Sequence, residues 1–68
     1  MPEKTDELEQ AIRHRIIARV KEINQKLLVR LEAVAIDLNL DRPVAALGGL
    51  DGIDRDIDTI RSFLLLLR

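Results

Sequence analysis

The sequence contains no cysteine, no tryptophan and no tyrosine, and it has one phenylalanine, Phe63, and one histidine, His14. Without cysteine there is neither a disulfide staple nor a thiolate metal site. With a single aromatic ring, any core must be assembled from Ile, Leu, Val and Ala. Glycine and proline are also scarce, and none falls between Glu3 and Arg42. The longest unbroken apolar run, Phe63 to Leu67, is far below the roughly 20 residues that a membrane span requires. The first nine residues carry four acids and one lysine, the opposite of a basic and then apolar secretory signal. A cytoplasmic protein with no membrane partner is therefore expected.

A chain of 68 residues has room for one domain, taken as 1–68. So short a chain buries proportionally little surface and usually needs a disulfide, a metal or a second subunit. With no cysteine to supply a disulfide, self-association is the most economical remedy.

The net charge of −1 hides an uneven distribution. Residues 10–30 carry Arg13, Arg15, Arg19, Lys21, Lys26 and Arg30 against Glu22 alone, whereas the segments on either side are acidic. That basic middle is the one charge asymmetry that bears on partners.

The dominant pattern is an apolar stripe. Leu8 and Ile12 lead into Ile16, Val20, Ile23, Leu27, Leu31, Val34 and Leu38, at steps of three and four that average close to an α-helical turn. Ile17, Leu28 and Ala35 widen it, as suits a helix that meets two neighbours. The spacing predicts a first helix over about 6–39, capped by Thr5 or Asp6. Arg42-Pro43 ends it. Pro43 to Leu47 can form one short helical turn, and Gly48-Gly49 should then break the chain. A second helix is predicted over about 51–67 with Asp51 as its cap. Its face is Leu50, Ile53, Ile57, Ile60, Leu64 and Leu67, a heptad pattern.

Two helices joined by a short connection fold back as an antiparallel hairpin. The second helix is the shorter, so it should cover the C-terminal half of the first and leave the stripe from Leu8 to Ile23 bare. A second copy would cover that stripe, which predicts an all-α dimeric four-helix bundle. The expected oligomer interface is Leu8, Ile12, Ile16, Val20, Ile23, Asn24, Leu27 and Leu31. Asn24 is the polar residue in that set, and a lone asparagine at such a position can select register and stoichiometry.

Three further groups stand out. Arg15, Arg19, Lys26 and Arg30 fall on one flank of the stripe, a candidate edge for a polyanion or an acidic partner, with two such edges brought onto one surface in a two-fold bundle. No aromatic side chain is interleaved for base stacking. Phe63, Leu65 and Leu66 leave the heptad face and form a candidate partner patch. Asp54, Asp56 and Asp58 begin like a calcium loop, but Thr59 stands where that loop needs glycine and Leu65 where it needs glutamate, so the acids read as complements to a helix N-terminus. His14 has no triad or metal set around it in the sequence, and neither Thr59 nor Ser62 lies in a nucleophile motif.

The design, a short hairpin that dimerises into a bundle and presents a polar face of its first helix, is similar to that of the Rop-type RNA-binding regulators of plasmid copy number. The likeness is one of architecture. The expectation is thus a small non-enzymatic, homo-oligomeric adaptor or assembly protein without a cofactor, acting through protein–protein contacts. Alternatives are a nucleic-acid-binding regulator using the basic edge, and a subunit of a phage or secretion-type assembly.

Overall fold

The computed structural model describes residues 2–68, and side chains from residue 6 onward. Three helices follow in order, α1 over Pro2–Asn39, α2 over Pro43–Gly49 and α3 over Ile53–Leu66, with no strand among the described residues. The 38 residues of α1 extend about 57 Å at 1.5 Å per residue, nearly the full 60 Å length of the molecule. No glycine or proline interrupts that run. The helix starts at Pro2, a turn before the expected caps, because proline is tolerated where the backbone N–H has no partner anyway. Asp6 therefore lies inside the helix, and the Thr5 side chain falls outside the described ones.

The end of α1 is closed by its own backbone. Asp41 adopts a left-handed conformation with φ 57°. The Arg42 N–H donates to the Asp37 carbonyl at 2.8 Å and the Asp41 N–H to that of Leu38 at 3.2 Å. This is the pairing that usually recruits glycine at the left-handed position. Pro43 then opens α2 at its first position.

The expected single turn after Pro43 is instead a seven-residue helix, and Gly48 and Gly49 belong to it. Ala46 is buried against α1. A Cβ on Gly49 would sit 2.8 Å from Val34 Cγ2, so the absence of a side chain there permits the close approach of α2 to α1. The break comes one turn later, at Gly52, whose φ of 81° suits glycine. Gly52, not Asp51, precedes α3, and no side chain caps that helix. The Asp51 carbonyl instead accepts from the Arg30 guanidinium.

These details set the register. Because α2 occupies the C-terminal third of α1, α3 is displaced towards the N-terminus. Arg30 lies beside Gly52, and at the far end Ile12 and Ile16 share a groove with Leu66 and Leu67. The segment from Ile16 to Ile23 is thus covered by α3, contrary to the bare stripe expected there. Ile23 is buried and Ile16 and Val20 are half-buried. Only Leu8 and Ile12 stay exposed.

The seam between the helices is also different. On α1 the residues turned inward are Ile16, Val20, Ile23, Leu27, Arg30, Val34 and Asp37, strict alternating steps of four and three. On α3 they are Ile53, Asp56, Ile60, Phe63 and Leu67, with Thr59 beside them. The expected contact residues Ile57 and Leu64 remain 41% and 48% exposed, and Leu31 of α1 remains 40% exposed. Phe63, expected to point away, lies half-buried in the seam.

The product is a rod one hairpin thick. Its dimensions are 60 × 15 × 12 Å and its radius of gyration is 17.0 Å, against ~11 Å for a compact domain of this length. Its buried apolar residues are Ile23, Leu27, Val34, Ala46 and Ile53, and none of the described large side chains is completely enclosed.

Candidate functional site

Helix geometry divides the surface of the hairpin into two broad sides. In antiparallel helices, the residue following each seam residue turns towards the same side of the pair. On α1 that side carries Ile17, Lys21, Asn24, Leu28, Leu31, Ala35 and Leu38; on α3 it carries Asp54, Ile57, Arg61, Leu64 and Arg68. Leu47 and Leu50 extend it along α2 and the turn after it, since Ala46 and Gly49 are the residues facing α1. Leu28, Leu31, Leu38, Leu47, Leu50, Ile57 and Leu64 are all exposed on this side. Ile57, Ile60, Arg61, Leu64, Leu65 and Arg68 line one shallow, mostly apolar groove on it.

The opposite side carries the residues preceding the seam. Arg15, Arg19, Glu22, Lys26, Val29, Ala33 and Ile36 lie here on α1, with Val29 and Ile36 exposed, and Arg55, Thr59, Ser62 and Leu66 on α3. The ion pair between Arg30 Nη1 and Asp56 Oδ2, 3.8 Å long, joins the helices between the two. Arg19 Nη1 donates to Glu22 Oε2 at 2.8 Å. That hydrogen bond, aided by the guanidinium charge, holds the Glu22 carboxyl below its ordinary value; the group is fully exposed and the pair belongs to the solvated flank. No ion pair among the described residues involves Arg15 or Lys26.

The residues singled out from the sequence therefore separate. Ile16, Val20, Ile23 and Leu27 are used within the chain. Asn24 and Leu31 lie on the open apolar side, whereas Leu8 and Ile12 remain exposed near the start of α1 on the side of Arg15 and Arg19. Of the basic edge, Arg30 turns inward to Asp51 and Asp56, and the others stand on the side away from the apolar face. Face-to-face pairing would place the two copies' basic edges on opposite outer surfaces rather than on one. The patch of Phe63, Leu65 and Leu66 is also split, with Phe63 in the seam, Leu65 in the groove with Leu64, and Leu66 in another with Thr59 and Ser62.

Sequence reasoning missed Leu38, Leu47, Ile57 and Leu64 as surface residues. The signal was present in Leu28, Leu31, Ala35 and Leu38, which repeat at three, four and three. It was merged with the neighbouring seam because the two are offset by one residue.

Among the described residues no group of three or more His, Asp or Glu is placed to hold a metal ion, and no helix is long and apolar enough to cross a membrane. Comparison with family models, curated proteins and solved structures finds no match.

Proposed function

We propose that this chain is a non-enzymatic, self-associating helical adaptor or assembly protein, whose first partner is another copy of itself in a four-helix bundle. The observation that carries this reading is the open apolar side running over α1, α2 and α3. The accessible surface is 5901 Å², whereas a compact folded chain of 7.7 kDa exposes about 4,300 Å². The surplus, roughly 1,600 Å², is of the size that one subunit contributes to an obligate dimer. A contiguous apolar surface on so small a protein marks an interaction site. In such a bundle the outer sides, with Arg15, Arg19, Lys26 and Leu66, stay available to a further protein.

Light scattering at micromolar concentration tests the reading. A mass of two chains or more is expected; a stable, fully helical monomer overturns it.

A second reading draws on the exposed Arg15, Arg19 and Lys26, which share the side of the hairpin opposite the one proposed to pair. They would contact phosphates in a nucleic-acid-binding regulator. Retention of RNA or duplex DNA at low salt, lost steeply as salt rises and weakened by Arg15→Ala with Lys26→Ala, is the expected signature. Absence of any shift at low salt removes this reading and leaves the first intact.

A further inference from the structure

We infer that two copies pair through the open apolar side in an antiparallel sense, the loop end of one hairpin lying against the terminal end of the other. This rests on the self-association proposed above and adds the orientation.

Charge is unevenly placed along the rod. The register set by Arg30 beside Gly52 and by Ile16 beside Leu66 brings Lys21 level with Arg61, and Glu32 level with Asp51. Lys21 and Arg61 therefore flank the open side in its terminal half. Glu32, Asp51 and Asp54 flank it in its loop half. All five are exposed.

Two orientations bring the apolar sides together with two-fold symmetry. In the parallel one, α1 of each copy lies over α3 of the other at the same level. Lys21 then meets Arg61 of the second copy, and Glu32 meets Asp51. Both contacts set like charges together. In the antiparallel one, α1 lies over α1 and α3 over α3 with directions reversed. Lys21 then meets Glu32 of the second copy, and Arg61 meets Asp51 and Asp54. Both pairings imply a two-fold axis at the same height, between Asn24 and Leu28. About that axis the apolar residues also match. Leu28 approaches its own symmetry mate, Leu38 of α1 reaches Ile17, and Leu64 of α3 reaches Leu47 on α2 of the second copy. One operation thus satisfies both the charges and the apolar residues, whereas the parallel operation sets like charges together.

The absence of cysteine allows a clean test. His14 is exposed near the terminal end of α1, and His14→Cys provides a single site for a spin label. Antiparallel copies hold the two labels about 40 Å apart at 1.5 Å per residue from the axis. Parallel copies hold them about 15 Å apart, across the diagonal of a bundle with neighbouring helices 8–10 Å apart. Pulsed dipolar spectroscopy on a sample shown by light scattering to be dimeric reads the difference. A distance near 15 Å overturns this inference while leaving self-association standing. A monomeric sample with no dipolar signal overturns both. Charge exchange is the second arm. Lys21→Glu and Glu32→Lys should each weaken the dimer at least several-fold, and the two together should restore it; a double variant as weak as the singles also overturns the pairing.

Discussion

Gly48 and Gly49 are adjacent in sequence and alike in composition, yet the structure uses them differently. A methyl group on Gly49 would collide with Val34 Cγ2, whereas one on Gly48 would meet nothing within 4 Å. Val34 is buried and β-branched, so its side chain has little room to turn away. Gly49→Ala is expected to destabilise by about 1–3 kcal/mol through overpacking. Gly48→Ala should instead stabilise by about 0.5–1 kcal/mol, because it removes unfolded-state freedom at a helical position. Urea unfolding of both variants at one fixed concentration checks the pair, and equal effects would show that α2 does not lie tightly on α1. This difference was not legible in the sequence. Two consecutive glycines read as a break in the chain, and only the proximity of Val34 shows that one of them serves packing.

Arg30 is the residue that ties α1 both to the turn after α2 and to α3. It stands in the α1 seam where an aliphatic residue would be expected, donates to the Asp51 carbonyl at the turn before α3, and pairs with Asp56 on α3. Its side chain is still 40% exposed, so water screens much of the ion pair. Arg30→Ala should therefore cost only about 1 kcal/mol in urea unfolding. A loss well above 3 kcal/mol would mean that the guanidinium is far less solvated than its exposure indicates. Much of the element layout was legible beforehand: the long first helix, the proline break, a shorter last helix, expected from about residue 51 and found from Ile53, and the antiparallel return. What misled was the composition of α1. Ile16, Val20, Ile23, Leu27 and Val34 belong to one heptad seam, while Leu28, Leu31, Ala35 and Leu38 belong to the next. A stripe drawn through the largest aliphatics crosses from one to the other, because Arg30 and Asp37 occupy seam positions that the eye rejects as polar. On α3, Asp56 and Phe63 displaced Ile57 and Leu64 from the seam in the same way. Hydrophobicity alone cannot tell a face turned to the same chain from a face turned to another.

Taken as one object, the hairpin has the surface of a half-finished fold. Residues that would close a core in a larger domain, such as Leu31, Ile57 and Leu64, lie at its edge. If the missing layer is a second copy, unfolding is coupled to dissociation and thermal stability depends on protein concentration. A tenfold dilution through the micromolar range should lower Tm by several degrees, on the order of 5 °C for a chain of this size. Circular dichroism at two path lengths measures it, and a Tm independent of concentration would indicate that the hairpin stands alone. A second copy is the expectation set by the chain's small size and its lack of cysteine. The position of the bare surface could not be anticipated, because the seven residues of α2 shift α3 by several turns along α1.

The segregation of charge along the rod bears on time as well as on equilibrium. In the proposed antiparallel pairing, two hairpins approaching from solution would feel the basic terminal half of one and the acidic loop half of the other before their leucines touch. Opposed fields of this kind raise the rate of productive encounter and orient it. At 0.15 M salt the screening length is about 8 Å, so added salt should slow association. Separation, governed by the apolar face, should change little. Stopped-flow mixing of labelled hairpins across a salt series would thus show the two rates responding unequally, with the charges acting on how the copies meet and the leucines on how long they stay together.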